Sequence, residues 1–309
     1  EVLFGLEEAT RVGAEPGTGP GETASGKQKA EARTKAKDDE VLPDQRFDLQ
    51  ATIRPDAGKR ITAARFSIDG KAIDAPHALR DCATGCLKDL PLQAAIASVR
   101  AVSLARPGVH EFSVTATQDD GQTISAKGNF EIVPFAKAIG PKVKNIVILL
   151  GDGMGAAQRT AARIVNGRYA QGKASQGLAM DSFPATALVK TASLNSVVTD
   201  SSPGMTAYVS GNKNNNNEEG VFPDDTVDAF DNPRIEYLSE YLHRTQGKAL
   251  GIVTTADVFD ATPAGNAVHT SNRGAGTGIV DQFFDDRSHT GMAVLMGGEA
   301  GVSSTPDVG

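Results

Sequence analysis

The sequence predicts an α/β fold built on a mainly parallel sheet and preceded by a small antiparallel β-sandwich. Three observations predict it. Two short apolar runs, Ile146 to Leu150 and Ala249 to Thr254, each lead into a turn followed by helix-forming sequence, the pattern of strands buried on both faces between helices. Between residues 112 and 132 the apolar positions alternate with period two around Asp119-Asp120-Gly121, the mark of an antiparallel hairpin. Residues 15–37 are rich in Gly, Pro, Ala, Lys and Glu with almost no large apolar side chains, so they bury too little surface to offset their ordering entropy.

In chain order, residues 1–45 read as a flexible extension, with Leu3, Phe4 and Leu6 at its start forming either a short helical hook or a frayed end. Residues 46–135 read as the β-sandwich. Phe112, Val114 and Ala116 face inward before the turn, and Ile124, Ala126, Phe130 and Ile132 after it. An earlier hairpin runs through Phe66 to Lys71, and the whole stretch resembles the immunoglobulin-like modules of bacterial exported proteins. Whether it docks on its neighbour, pairs subunits or binds a surface is left open. Cys82 and Cys86 are the only cysteines. Their spacing suits a small disulfide loop and export to the periplasm or beyond, and a reduced pair is the other reading; two thiolates fall short of a structural zinc site.

Residues 142–309 carry the α/β pattern, with helices expected at Ala156 to Val165, Ile235 to Thr245 and Ile279 to Asp285, and a strand near Ala293 to Gly297. Two motifs stand where an apolar strand, Ile146 to Leu150 for the first and Leu194 to Val198 for the second, is expected to run into a helix. In Gly151-Asp152-Gly153-Met154-Gly155 the glycines permit a sharp turn and leave space above the Asp152 carboxylate, which suits a hard cation. In Thr199-Asp200-Ser201-Ser202-Pro203-Gly204-Met205 the serines sit at a helix mouth, where backbone N–H groups and the helix dipole favour an anion. Ser202, before a proline placed at the first helical position, fits an N-cap, which leaves Ser201 to react. Further on, Asp260 and Thr262 offer two oxygen donors two residues apart, with Thr262 also a cap candidate before Pro263, and Arg273 offers a planar fork of donors to a phosphoryl group. Asn212 to Gly220 reads as a solvated polar loop near this rim.

Taken together, Ile148 to Gly155, Val198 to Gly211 and Thr255 to Gly274 resemble the alkaline phosphatase family, and the likeness runs from about Lys142 to Gly309. The resemblance implies an α/β/α sandwich and hydrolysis of phosphate monoesters. It implies that Ser201 is the nucleophile that becomes phosphorylated and that Arg273 holds the phosphate oxygens. It further implies that Asp152 bridges a zinc and the magnesium site, that Ser201 also meets zinc, and that Asp260 and Thr262 bind magnesium. The run Ser202-Pro203-Gly204-Met205 departs from the small-residue run of familiar members, a difference of pocket detail. The family's later metal ligands match no position here, so the chain reads as the N-terminal part of the catalytic domain, with the remaining C-terminal half as an expected partner. His77, His110, His243, His269 and His289 show no metal-pair spacing, and His269 near Arg273 reads as structural or solvent-facing rather than as a ligand.

Composition narrows the classes. The chain has 309 residues, 39% of them hydrophobic, and a net charge of -7, enough for two folded units and unlike a nucleic-acid binder. No apolar run approaches the ~20 residues of a membrane span. The leading reading is a metal-dependent phosphomonoesterase, exported and acting on small phosphate monoesters, with a homodimer left open. The alternatives are a phosphodiesterase or sulfatase of the same superfamily, or an extracellular binding protein that keeps part of the fold.

Overall fold

The computed structural model describes residues 2–4, 40–83, 85–88, 94–134 and 143–298. They fall into two compact units, one holding the described residues of 1–136 and 192–309, the other those of 137–191.

The first unit opens with nine strands: β1 (Val2–Phe4), β2 (Glu40–Val41), β3 (Phe47–Ile53), β4 (Ile61–Ile68), β5 (Lys71–Ala72), β6 (His77–Cys82), β7 (Ala94–Val102), β8 (Gly108–Gln118) and β9 (Thr123–Ile132). They form two sheets, ordered β1-β3-β7-β6 and β2-β9-β8-β4-β5, antiparallel except where β2 runs parallel to β9. The expected hairpin is β8 and β9, with Val114 opposite Ala126. Inward residues of both sheets, among them Leu49, Ala51, Val99, Phe112, Val114 and Phe130, share one core, the alternation a sandwich requires. Cys82 and Cys86 are joined as a disulfide just after β6. Leu3 and Phe4, expected in a helical hook or a frayed end, instead lie on a strand paired with β3, because a sheet edge offers backbone partners that a lone helical turn lacks. Leu6 and the rest of the extension to residue 39 lie outside the described residues.

The second unit contains the first glycine motif. The apolar run Ile146 to Leu150 is extended but forms no strand among the described residues, and Leu149 is 84% exposed. A buried parallel strand needs ladder partners and cover on both faces, and no described strand pairs with this run. The turn itself forms as expected: the Met154 N–H donates to the Gly151 carbonyl at 3.1 Å, and Gly153 takes φ 63°. Helix α1 (Ala156–Gly167) follows, its start held by the Gly155 N–H donating to Gln158 Oε1 at 3.1 Å. A short hairpin, β10 (Tyr169–Ala170) and β11 (Lys173–Ala174), and a 3₁₀ turn at Ala179–Ser182 complete the unit. Asp181 pairs with Arg163 and Arg159, and the Arg163 hydrogen bond above all holds its carboxyl well below the usual range.

The first unit resumes with α2 (Ser201–Ser210), α3 (Leu238–Gln246), β12 (Leu250–Asp257), α4 (Ala261–Ala264), α5 (Gly276–Asp285), α6 (Arg287–Thr290) and β13 (Met292–Gly298). Strands β12 and β13 pair in parallel, Ile252 beside Leu295, with the crossover helices packed on them through Ile252, Ala264, Val268, Ile279 and Phe283. This is the α/β pattern the sequence predicts. The stretch Leu194 to Val198, expected as a strand, is a loop. Its backbone groups find other partners: the Leu194 N–H donates to the Asn214 carbonyl at 3.0 Å, and the Val198 carbonyl accepts from Asn216 Nδ2 at 3.2 Å.

Strand β3 joins the two halves of this unit, and all seven of its residues are buried. Phe47, Leu49, Ala51 and Ile53 enter the sandwich core, which Phe222 and Ile235 complete from the later segment. The opposite face is polar and still buried. Asp48 Oδ2 accepts from Arg100 Nη1 at 2.7 Å and from the Arg234 N–H at 3.0 Å. Gln50 Nε2 donates to Asp224 Oδ2 at 2.6 Å. The Thr226 hydroxyl faces both Asp224, at 3.0 Å, and Asp231, and Asp231 pairs with Arg80. Thr226 has one proton for two carboxylates.

Burial, then the Asp231 charge, push Asp224 up to about 6 from its ordinary 3.8. Between these values the unfolded chain gives up a proton that the folded chain keeps, so folding stability falls as pH rises through that window, by on the order of 2–3 kcal/mol. Asp224→Asn is expected to flatten this fall and to raise the melting temperature at pH 8 relative to pH 4. Gln50 Oε1, buried without a partner, can accept from the new amide once the Gln50 side chain flips. Parallel melting curves for both proteins across pH 4, 6 and 8 would remove Asp224 as the source.

Candidate active site

The N-terminus of α2 is capped by Asp200, whose Oδ1 accepts the Ser202 N–H at 2.7 Å. This corrects the expectation that Ser202 is the cap. Asp is as good a cap as Ser, and here it stands one residue before the helix, so Ser201 becomes the first helical residue and Pro203 the third rather than the first. Proline is tolerated there because first-turn N–H groups have no intrahelical partner. Ser202 is fully buried and its Oγ donates to Glu219 Oε1 at 3.5 Å, whereas Ser201 is only half-buried. With the Ser202 N–H committed to Asp200 and no N–H on Pro203, the helix mouth offers an anion fewer backbone donors than its sequence suggests. The weight shifts to arginine.

That arginine is in place. Asp260 caps α4 by accepting the Ala261 N–H at 2.8 Å, which puts Thr262 inside the helix rather than at its cap. Arg273 Nη2 donates to Asp260 Oδ1 at 2.6 Å, and its Nη1 lies 3.8 Å from Asp200 Oδ1. One guanidinium therefore spans the N-caps of two helices, and Ser201, Asp260, Thr262 and Arg273 gather at the adjoining mouths of α2 and α4. Asp152 belongs to the other unit, where it occupies the turn described above.

A third acid joins the cluster. Glu219 is fully buried, and burial, aided by the charges of Asp260 and Asp200, pushes it up to about 8 despite Arg273 nearby. This shift toward the neutral form leaves Asp200 and Asp260 as the carboxylates that pair with Arg273. Glu219 sits in the loop expected to be solvated, but Asn212, Asn214, Glu218 and Glu219 are all buried. The Glu219 N–H donates to the Thr270 carbonyl at 2.8 Å and the Thr270 N–H returns the bond at 3.0 Å. Gly220, at φ 58°, lets this loop pass Tyr237; an added Cβ would lie 2.2 Å from the Tyr237 hydroxyl. The legible signal was the asparagine run itself, since Asn carries both donors and acceptors and tolerates left-handed turns.

His269, expected to be either structural or solvent-facing, takes the first of these places. It is buried against Tyr237, ring centroids 4.6 Å apart, with Nδ1 at 2.7 Å from the Gly220 carbonyl and Nε2 at 3.3 Å from Glu240. Among the described residues, no group of three or more His, Cys, Asp or Glu side chains gathers closely enough to hold a metal ion. The donors that Asp260 and Thr262 bring are oxygens, which fit a hard divalent cation better than zinc.

The family model for alkaline phosphatase matches residues 143–298, half of the chain. The chain belongs to the alkaline phosphatase family. The match extends from just before the apolar run Ile146 to Leu150 to the end of β13. Tissue-nonspecific alkaline phosphatase of Gallus gallus is 41% identical over 133 residues, which are 42% of this chain and 26% of that protein. The Homo sapiens isozyme is 37% identical over 133 residues, 42% of this chain and 25% of that one. Alkaline phosphatase of Gadus morhua is 37% identical over 135 residues, 43% and 28% of the two. The chain thus spans about a quarter of the length of these relatives. Among solved structures, alkaline phosphatase from the Antarctic bacterium TAB5 is similar at 31% identity over 31% of this chain and 26% of that one, with a TM-score of 0.28. A variant of that enzyme with Mg bound is 24% identical over 36% and 43% of the two chains, also at a TM-score of 0.28.

Proposed function

We propose that this chain contributes the nucleophile-bearing part of a metal-dependent phosphomonoesterase that works through a phosphoserine at Ser201. One observation carries the reading: Arg273 reaches the N-cap carboxylates of both α2 and α4, which places a fork of N–H donors beside the half-buried Ser201. A phosphoryl group entering there would exchange Arg273's carboxylate contacts for its own oxygens, a bidentate fit. Ser201 Oγ would form a bond to phosphorus as the ester P–O bond breaks and the alcohol leaves with a proton. Water would then attack the phosphoserine, return the Ser201 hydroxyl and release inorganic phosphate. Through both steps Arg273 and the positive end of α2 hold the charge on the non-bridging oxygens.

Asp260 and Thr262 are the residues that would hold magnesium, and Ser201 would meet zinc. Metals of this kind lower the pKa of a bound hydroxyl and act as Lewis acids. The disulfide favours export, and no described helix is long and apolar enough to cross a membrane. We read the sandwich as an immunoglobulin-like module docked on this segment through β3. The test is a comparison of aryl phosphate, aryl phosphodiester and aryl sulfate turnover with and without chelator. Chelator-sensitive turnover of the monoester is expected to dominate; a dominant diester or sulfate rate would overturn the substrate class.

A further inference from the structure

Two consecutive asparagines tie the nucleophile turn to the arginine loop. Asn217 adopts φ 72°, a left-handed conformation that aims its two backbone groups in different directions. Its N–H donates to Asp200 Oδ2 at 2.7 Å, and its carbonyl accepts the Arg273 N–H at 2.9 Å. Asn216 works through its side chain. Its Oδ1 accepts the Asp200 N–H at 3.3 Å, its Nδ2 donates to the Val198 carbonyl at 3.2 Å, and its own N–H donates to Asn195 Oδ1 at 3.0 Å. The Asn217 side chain is exposed, so what this residue supplies is its backbone conformation.

We propose that Asn216 and Asn217 are positioning residues that lock the Asp200 cap and the Arg273 backbone into one rigid frame around Ser201. The proposal rests on the reading of Ser201 and Arg273 given above. Its physical basis is that Asp200 offers one carboxylate oxygen to the helix and the other to Asn217, so the same group that starts α2 also fixes the distance to the loop carrying Arg273. A left-handed residue is required at 217 for both bonds to form, and Asn and Gly adopt that conformation far more readily than a β-branched residue. The cost of a loosened frame would fall on the chemical step, because small misplacements of a reacting group lower rates steeply.

The experiment compares Asn217→Val, Asn217→Gly and Asn216→Ala in the intact protein by two readouts: amide hydrogen exchange, and aryl phosphate turnover per mole of phosphoserine formed. Exchange at the Asn217, Ser202 and Arg273 amides is expected to rise about 10-fold or more in Asn217→Val and to stay near the parent value in Asn217→Gly. In the same pair kcat is expected to fall about 10-fold for valine and to remain within about twofold for glycine. Asn216→Ala is expected to speed exchange at Asp200 and to lower kcat with a smaller change in KM. A merely structural loop would lower the melting temperature and the fraction of active protein but leave turnover per phosphoserine unchanged. Unaltered exchange in Asn217→Val overturns the frame; faster exchange with unaltered kcat overturns its positioning role. If the parent protein shows no Ser201-dependent hydrolysis, the functional reading fails and the catalytic half of this proposal falls with it, while the exchange data still decide whether the frame exists.

Discussion

Ser201→Ala is expected to lower aryl phosphate turnover by on the order of 10⁴-fold, because in the proposed mechanism it removes the group that would form the covalent intermediate. The two nearest hydroxyls on α2 are committed elsewhere. Ser202 is fully buried and bonded to Glu219, and Thr206, one turn on, is also buried, with its hydroxyl accepting the Gly220 N–H at 3.0 Å. Ser202→Ala therefore serves as the contrast: it should cost some stability but retain most of the turnover. Kinetics of both variants, with phosphopeptide mapping of acid-quenched enzyme, would check the assignment. Retained turnover in Ser201→Ala together with its loss in Ser202→Ala would move the nucleophile by one residue and turn α2 through a large angle relative to the arginine.

Phe47→Ala is expected to destabilise the first unit by about 3–5 kcal/mol, the usual cost of deleting a large buried aromatic side chain. Phe47 is 2% exposed and packs edge-on to Phe130, ring centroids 5.0 Å apart. Its backbone also bridges to Ile235, which shares the same core as Phe222. The cavity would thus open where the sandwich and the α/β segment meet. A loss of this size is a large share of a typical folding free energy. Urea denaturation followed by circular dichroism would measure it, and a loss below about 1 kcal/mol would mean that the site relaxes around the gap and that the junction is not tightly packed. Loss of sandwich and α/β signals at a single midpoint would further mean that the two halves unfold together.

Local features were legible in the sequence. The period-two alternation on both sides of Asp119-Asp120-Gly121 became the hairpin of β8 and β9, the helix behind the first glycine motif formed as α1, and the apolar run at 249–254 became β12. These signals are carried by neighbours in the chain, through strand and helix periodicity and turn chemistry. The motif residues Ser201, Asp260, Thr262 and Arg273 were legible for the same reason, since their spacing reflects short turns at helix starts.

What sequence periodicity misjudged depended on partners far along the chain. The alternate residues Asp48 and Gln50 have the pattern of a solvated strand face, yet they are buried, with Arg234 and Asp224 supplying matching donors and acceptors. Ile146 to Leu150 has the composition of a buried strand, but composition supplies no ladder partner. The N-cap of α2 moved from Ser202 to Asp200 because Asn217 and Arg273 converge on that carboxylate, a preference absent from local helix propensity. By itself, then, the sequence determined the family, the hairpins and helices, and it supplied the residues proposed to carry phosphoryl chemistry. Only the tertiary structure decided that one arginine bridges two helix caps, that the asparagine loop is buried behind them, and that the sandwich is built into the unit holding Ser201. Each of these rests on hydrogen bonds and desolvation between segments distant in sequence, whose energy exists only once the chain has closed on itself.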